Sequence, residues 1–249
     1  MENKGFDPSE NRHLQSEFSS SSKYYEVYDD VLTFYEPHQR LRALHASVMP
    51  RGKVNIVDAG GGTGLLTRHL KAEDPHRKIE IFDLSQEMTS VAAAKGVRKN
   101  NIHISSITHL VRTNGQQVED SSIDGIMTNN VIYILSIEQI HNFLREAHRV
   151  LKSGGRLSIA SMQTVKKEAM DKFLESIQSD VANMERAGWV PQNSSHIFFD
   201  TNKRLTQNAP TTFTIPEIVK LAETFGFHTI YTSSSEYMGT AFFVAFEKQ

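Results

Sequence analysis

The chain has 249 residues, a formal net charge of −2 at pH 7 and no cysteine. The lack of cysteine excludes disulfides, thiol catalysis and cysteine-ligated metals, and the small net charge gives no general attraction to nucleic acid or to an anionic membrane surface. The length suits one large α/β domain; there is no apolar run of about 18 residues and no signal-peptide core, so a soluble cytoplasmic protein is expected.

The N-terminal part divides into a polar stretch and a helical one. Residues 1–22 are polar and serine-rich, and we expect a mobile tail there. From Tyr24 to about Met49, apolar and tyrosine side chains recur at helical spacing, which predicts a helix. Residues 23–249 are expected to form a single domain.

A glycine-rich turn follows the first predicted strand. The apolar run from Val54 to Asp58 ends in a carboxylate, and a helical pattern begins at Leu65. In α/β domains this order builds a nucleotide pocket at the carboxyl end of a strand, because glycines let the backbone turn sharply and let a ligand come close. The residues expected to bind a cofactor here are Asp58, Gly60, Gly61, Gly62 and Gly64.

The second predicted strand, 78–83, also ends in a carboxylate. Asp83 lies 19 positions after Gly64. An acidic residue at about this distance accepts hydrogen bonds from the ribose hydroxyls of a bound nucleotide. Ser85 is a suitable N-cap for the next helix, predicted near 85–95.

The remaining elements continue an alternating order of strands and helices. A helix is expected from Ile137 to Leu151, with a glycine stop at 152–155. Such alternation predicts a parallel sheet with helices on both faces. The other predicted elements are strands at 102–105, 123–130 and 156–161, a helix at 216–225, and a closing antiparallel hairpin of strands 228–233 and 240–246.

Several of these segments resemble one enzyme family. The spacing Asp-x-Gly-x-Gly-x-Gly from Asp58 resembles motif I of the class I S-adenosylmethionine (SAM) dependent methyltransferases, and Asp83-Leu-Ser-Gln-Glu-Met88 is similar to another pattern of that family. Residues 120–126 and 150–155 are similar to the family's approaches to strands four and five. The resemblance covers about residues 24–248. It implies an α/β, Rossmann-like, seven-stranded sheet of order 3-2-1-4-5-7-6, with the last strand antiparallel, helices on both faces and a helical lid insertion.

The resemblance also implies a reaction and a cofactor. SAM would donate a methyl group to a small-molecule acceptor by in-line displacement, leaving S-adenosylhomocysteine (SAH), and the protein would act mainly by positioning. Many members carry an Asp after strand three that binds the adenine amino group, whereas this chain has Ser106 and Thr108 there. Further residues that the resemblance places at the cofactor are Tyr28, Asp83, Leu84, Met88, Thr108 and Asn129. Met88 as ordinary core and Tyr28 as an ordinary helix face are the alternatives.

A long insertion, 162–215, separates the fifth strand from the next predicted helix. Its first part, Lys166 to Ala187, is strongly amphipathic, which suits either a lid over the substrate or a helix packed on the sheet edge or on a partner subunit. A polar loop carrying several aromatic side chains is expected after it. His196 in that loop is the best acid/base candidate. His38, in the N-terminal helical stretch, is a weaker one. Tyr133, after strand four, is the first candidate for orienting the acceptor, with packing under the lid as its alternative.

Other functions are less consistent with the sequence. A nicotinamide-dependent oxidoreductase would need a small residue where Leu65 stands in the glycine fingerprint. A protein that binds SAM without methylating remains an alternative, although the glycine turn is intact. We expect no metal, because His-rich and carboxylate-rich ligand spacings are absent. The expected partner is a small-molecule acceptor, without nucleic acid or membrane, and a homodimer is possible through the apolar helix faces.

Overall fold

A seven-stranded sheet forms the centre of the protein, for which a computed structural model describes residues 22–207 and 209–249. The strands are β1 (Asn55–Ala59), β2 (Lys78–Asp83), β3 (Ile102–Ile104), β4 (Ile123–Asn129), β5 (Leu151–Met162), β6 (Phe227–Glu236) and β7 (Ala241–Lys248). Their order is β3-β2-β1-β4-β5-β7-β6. The first five strands pair in parallel, and β7 lies antiparallel between β5 and β6. The fold class and the strand order expected from the sequence are confirmed.

Helices cover both faces of this sheet. The α-helices of the described residues are α1 (Ser22–Phe34), α2 (Glu36–Val48), α3 (Leu65–Glu73), α4 (Gln86–Ala94), α5 (Ile137–Val150), α6 (Lys167–Arg186), α7 (Ser194–Gln207) and α8 (Ile215–Glu223). Helices α5 and α8 pack on one face, against alternate side chains of β1, β4, β5 and β7. The opposite face carries α2, α3 and α4 and the insertion helices α6 and α7. None of the described helices is long and apolar enough to cross a membrane.

The predicted long N-terminal helix is in fact two helices. Helix α1 ends at Phe34, Tyr35 is extended, and α2 begins at Glu36 with Pro37 in its first turn. Proline lacks a backbone N–H and its ring clashes with the carbonyl four residues earlier, so one continuous helix is impossible here. The tail predicted at residues 1–22 lies outside the described residues, apart from Ser22 at the start of α1.

The glycine stop predicted at 152–155 is also wrong. Helix α5 ends at Val150, and the extended residue Leu151 already pairs with Ile123 in the sheet. The chain therefore passes from helix directly into strand, and Leu151 at the junction is fully buried. Gly154, at a φ of 74°, lies inside the first part of β5, before the regular register resumes at Arg156.

The insertion contains one expected helix and one unexpected helix. Helix α6 buries the predicted apolar face, including Phe173, Ile177 and Val181. The predicted polar loop is instead largely the helix α7, whose buried side chains are Ser194, Ser195, Phe198, Thr201 and Leu205. Helix α7 packs against α1, and the rings of Phe198 and Tyr28 lie 4.9 Å apart. These two helices therefore meet above the carboxyl ends of the central strands.

Candidate active site

A large cavity opens at the carboxyl ends of β1, β2 and β4, under α1 and α7. It encloses about 1380 Å³ of empty space, a figure that includes the open solvent at its mouth. Its walls come from the glycine turn, the end of β2, the segment 105–108, the segment 129–135 and the two helices above. Cavities at this edge of an open α/β sheet are where ligands bind.

The glycine turn is closely surrounded by side chains. Gly60 and Gly62 have φ values of 72° and 50°, in the left-handed region that favours glycine. A Cβ on Gly60 would collide with Val131, and one on Gly62 would lie 2.9 Å from Met88 Cε. The turn therefore presents bare backbone to the cavity, because any side chain there would displace a neighbour.

Asp58 lies behind this turn and is cut off from water. Its carboxylate accepts a hydrogen bond of 2.7 Å from Thr67 Oγ1, on the first turns of α3. Burial raises the pKa of Asp58 to about 7, and the nearby charge of Asp83 adds to the rise while Thr67 opposes it. Asp58 thus titrates near neutral pH and holds the end of β1 against α3.

Asp83, at the end of β2, supports the turn from the other side. Its Oδ2 accepts from the Gly62 amide at 2.8 Å and its Oδ1 accepts from the Ser85 amide at 2.8 Å. Burial raises the pKa of Asp83, and those backbone hydrogen bonds limit the rise. A carboxylate has about four acceptor sites, so Asp83 retains acceptor capacity for a ligand hydroxyl beyond its hydrogen bonds to the backbone amides. Ser85 caps α4 by accepting from the Met88 amide at 3.2 Å.

Hydroxyl groups line the wall beyond Asp83. Ser106 Oγ and Thr108 Oγ1 lie 2.8 Å apart and share one hydrogen bond. Both residues line the cavity, and Leu84 and Met88 lie on the same side. This wall offers hydroxyl donors and acceptors where a carboxylate would offer acceptors only.

Two asparagines end β4 at the centre of the site. Asn129 Oδ1 and Asn130 Oδ1 are buried without a hydrogen-bond partner among the described residues. Asn129 Nδ2 lies 3.4 Å from His38 Nε2, and Asn130 Nδ2 donates to the Tyr237 hydroxyl at 3.4 Å. Because an unpaired buried polar atom costs about 1–3 kcal/mol, each of these two amides has a hydrogen-bonding capacity that the described residues leave unmet.

An ion-pair cluster fastens α1 to the glycine turn. The fully buried Asp29 accepts from Thr63 Oγ1 at 2.5 Å, from Arg68 at 2.8 Å and from Lys95 at 2.6 Å. Lys95 also pairs with Asp30 at 2.6 Å. The cluster joins α1 to α3, to the residue after α4 and to the turn itself, and so holds α1 over the cavity.

The part of the cavity beyond Asn129 is apolar and rich in tyrosine. Burial raises the pKa values of Tyr28 and Tyr133 further above their usual range, so both phenols stay protonated. Neither hydroxyl makes a hydrogen bond to another described residue, so both remain available as donors. Side chains that line this part are Tyr24, Leu32, Ile134, Leu135, Thr201 and Leu205, with Arg204 exposed at the mouth.

Nearly all the residues expected from the sequence line this cavity. Lining residues are Tyr28, Asp58, Gly60, Gly61, Gly62, Asp83, Leu84, Met88, Thr108, Asn129 and Tyr133. Gly64 does not: a Cβ there would meet Val97, Ala92 and Ile81 at 3.0–3.2 Å, so its role is close packing at the start of α3. His196 does not either, because it lies on the exposed side of α7 while Phe198 and Thr201 face inward.

The structure adds residues that sequence reasoning missed or undervalued. Thr201, Arg204 and Leu205 reach the cavity from α7, and their spacing of three and four residues was the available signal. His38 is buried and lies directly beside Asn129, 91 positions away in the chain. No group of three or more His, Asp or Glu residues that could hold a metal occurs within residues 22–207 and 209–249.

Comparisons with known proteins agree with this architecture. Residues 56–155 match the family model of a methyltransferase domain. The chain is 28% identical over 153 residues to a ubiquinone/menaquinone biosynthesis C-methyltransferase of Rubrivivax gelatinosus, which covers 61% of this chain and 57% of that protein. A protein of the same description from Bartonella quintana is 28% identical over 163 residues, 64% of this chain and 61% of the relative. The alignments thus span less than two thirds of these relatives.

Solved structures share the fold. The 1,6-didemethyltoxoflavin-N1-methyltransferase of Burkholderia thailandensis, solved with 1,6-didemethyltoxoflavin and SAH, has a TM-score of 0.63 at 16% identity, covering 100% of this chain and 93% of that one. The methyltransferase complex with the Trm112 activator from Haloferax volcanii gives 0.56 at 16% identity, covering 88% and 96%. The fold and the glycine-turn site define an α/β protein of the Rossmann-like type. The methyltransferase-domain model and the curated relatives agree with the resemblance to class I SAM-dependent methyltransferases that the sequence motifs carry.

The residues present are suited to SAM. The bare backbone of the glycine turn permits close approach, and the acceptor sites of Asp83 match a ribose diol. The side-chain amides of Asn129 and Asn130, at the end of β4, lie on the side of β1 away from β2. A nucleoside at β2 and a polar tail at β4 would therefore both find partners.

Proposed function

We propose that this protein is a SAM-dependent methyltransferase whose acceptor is a small, largely apolar molecule. The observation that supports the proposal is one continuous cavity, which joins the glycine turn and Asp83 at one end to tyrosine and leucine side chains at the other. Bound SAM would supply a methyl group activated by its sulfonium. The chain's own residues would hold the two reactants in line and exclude water, which is a large part of the acceleration in such reactions.

The acceptor end of the cavity favours positioning over base catalysis. The phenols of Tyr28 and Tyr133 are kept protonated by burial, so they act as hydrogen-bond donors and not as bases. Burial, together with Arg42, His45 and His69, keeps the pKa of His38 well below its usual range. We propose that Tyr133 donates to a polar atom of the acceptor and orients it, and that α6 and α7 form the lid that covers it.

The chemical class of the acceptor follows from the same walls. Apolar and aromatic side chains suit a flat, conjugated or hydrocarbon molecule, and the protonated phenols suit one carrying an oxygen or nitrogen acceptor. Relatives named for ubiquinone/menaquinone and toxoflavin methylation support a small conjugated substrate. The cavity under two helices is unsuited to a duplex or a folded protein.

The decisive test is a calorimetric titration of the purified protein with SAM, SAH and NADH in parallel. We expect SAM and SAH to bind and NADH to give no signal. A screen of quinols, phenols and heteroaromatic acceptors, read by SAH release, then tests turnover. SAM binding without turnover of any acceptor would favour the non-catalytic alternative, and NADH binding without SAM binding would refute the proposal.

A pair of glycine variants makes the titration specific. Gly60→Ala introduces a Cβ that collides with Val131 at the cavity, whereas Gly115→Ala introduces one with nothing within 4 Å. Both glycines have φ values in the left-handed region, 72° and 83°, so the backbone strain is matched. We expect the first variant to lose SAM affinity and the second to keep it. Equal affinities would place the cofactor away from this turn.

A further inference from the structure

Three side chains in contact with one another, those of Arg42, His38 and Asn129, connect the end of α1 to the tip of β4. Arg42 donates to the Leu32 carbonyl at 2.7 Å and to the Thr33 carbonyl at 3.2 Å, and its NH1 lies 3.4 Å from His38 Nδ1. On its other side, His38 Nε2 lies 3.4 Å from Asn129 Nδ2. Arg42 and His38 are both buried, with exposed fractions of 6% and 4%.

The arginine determines which nitrogen of His38 carries the proton. A guanidinium can only donate, so His38 Nδ1 must accept from Arg42 and must be unprotonated. The cationic ring is disfavoured because it would place a second positive charge beside Arg42 in a buried site. His38 is therefore neutral with its proton on Nε2, and that N–H points at the Asn129 amide.

This tautomer determines how the amide lies. If the Asn129 NH2 group faced the Nε2–H of His38, two hydrogen-bond donors would point at each other. Asn129 Oδ1 would then stay buried without a partner among the described residues. A half-turn of the amide resolves both problems, because the oxygen then accepts from His38 and the NH2 group takes the place of the unpartnered oxygen. We propose that His38 is a positioning residue that turns the Asn129 NH2 group into the cavity, where it donates to the carboxylate of the amino-acid end of SAM.

The strand order supports this choice of ligand group, and the argument rests on the proposed function. With the ribose at Asp83 on β2, a SAM molecule that crosses the glycine turn after β1 reaches β4 with its opposite end, because β4 lies beside β1 on the other side. That end carries an ammonium and a carboxylate, and of the two only the carboxylate can accept a hydrogen bond from an NH2 group. Since His38 does not act as a base in this arrangement, its contribution is to cofactor affinity and orientation.

The tautomer is measurable in the ligand-free protein. In nitrogen-15 NMR of histidine-labelled protein, the signals lost in His38→Gln identify the His38 ring among the eleven histidines. We expect a neutral ring with a protonated Nε2 and an unprotonated Nδ1 between about pH 6 and 8. A proton on Nδ1, or a cationic ring, would overturn the proposal.

The direction of the amide is tested by Asn129→Asp. The aspartate keeps an oxygen for His38 but replaces the NH2 group with a second oxygen, which would repel a ligand carboxylate. We expect SAH affinity to fall about ten- to hundredfold, while methylthioadenosine, which lacks the amino-acid group, binds unchanged. Asn142→Asp makes the same change on α5, at a half-buried position outside the cavity whose side-chain oxygen accepts from Arg145, and should leave both affinities unchanged. Unchanged or tighter SAH binding by Asn129→Asp would overturn the proposal.

Conservative rescue separates positioning from base catalysis. His38→Gln retains an N–H donor near the position of Nε2 but cannot accept a proton, whereas His38→Leu has no donor. We expect the Gln variant to keep most of the SAH affinity and the Leu variant to lose about tenfold. Equal losses in both variants would overturn the positioning role. If the wild-type protein binds neither SAM nor SAH, the proposed function fails, while the NMR experiment still reports on the Arg42–His38 contact.

Discussion

Asp58 is a carboxyl group that the fold keeps near its point of half-ionisation. Its pKa in the folded protein is about 7, raised chiefly by burial from the ordinary aspartate value of 3.8. The folded state therefore holds this proton more tightly than the unfolded state, so stability falls as pH rises between these two values. We predict that Asp58→Asn, which keeps an oxygen for Thr67, gains stability relative to wild type as pH rises from about 5 to 8, by on the order of 2–4 kcal/mol.

Urea unfolding at several pH values across that range measures the effect. Glu175→Gln, a change of the same kind at an exposed site, is the control and should show a difference that does not vary with pH. A constant difference between Asp58→Asn and wild type would mean that Asp58 does not titrate in this window.

Asp83 combines two roles that one substitution can separate. Its oxygens hold the Gly62 and Ser85 amides, and the same carboxylate is our proposed ribose acceptor. We predict that Asp83→Ala lowers SAH affinity at least about a hundredfold and destabilises the ligand-free protein by about 1–3 kcal/mol, because two charge-assisted hydrogen bonds are lost. Calorimetry gives the first quantity and urea unfolding the second. Retained affinity would refute the ribose assignment whatever happens to stability.

The sequence predicts residues well where a local pattern carries them. Asp58, Asp83 and the glycines between them follow from spacing along one strand–turn–helix unit. His38 and Asn129 are different, because their contact joins positions 91 residues apart and depends on how α2 packs over β4. His196 illustrates the opposite error: a polar, aromatic-rich stretch suggested a binding loop, but the helix there turns His196 toward solvent.

At the scale of elements, α1 depends on one buried carboxylate. Asp29 holds Thr63, Arg68 and Lys95 at once, so removing it leaves two cations without their shared partner. We predict that Asp29→Ala destabilises the protein by about 3–5 kcal/mol and weakens SAH binding, because α1 and the glycine turn lose their connection. Unfolding and titration experiments measure both effects.

Asp30→Ala is the matched control for this cluster. Asp30 binds the same Lys95 but its side chain is 43% exposed, so its ion pair should contribute less than about 1 kcal/mol. If Asp29→Ala and Asp30→Ala have equal effects, the buried position of Asp29 does not matter and α1 is held by its apolar contacts.

The helices show which elements a sequence pattern can identify. Helix α6 was predictable because its inward positions are apolar at helical spacing. Helix α7 was not, because three of its five buried side chains are serine or threonine, and their inward direction is set by packing against α1 and α6. The break between α1 and α2 was visible in the sequence at Pro37, a signal stronger than the apolar periodicity that spans it.

At the scale of the whole molecule, one part of the sheet borders the cavity and the other part does not. The central strands β1, β2 and β4 end at the cavity, whereas β6 and β7 close the far edge of the sheet. The insertion helices α6 and α7 and the helix α1 pack on one face only, so ligand binding should order that face near the cavity and leave the far edge unchanged. Ligand occupancy at 100 times the dissociation constant would stabilise the protein by about 2.7 kcal/mol.

Hydrogen–deuterium exchange resolves where that stabilisation acts. We predict that SAH slows exchange in the glycine turn, in α1 and at the tip of β4, because these segments line the cavity in which we propose that the cofactor binds. Exchange of β6–β7 hairpin amides that open by local fluctuation should keep the same rate with and without SAH, since no residue of this hairpin lines the cavity. NADH at the same concentration is the control and should protect none of these segments. Protection confined to the sheet edge, with α1 unaffected, would show that α1 is not a cover for the cofactor but a fixed part of the core.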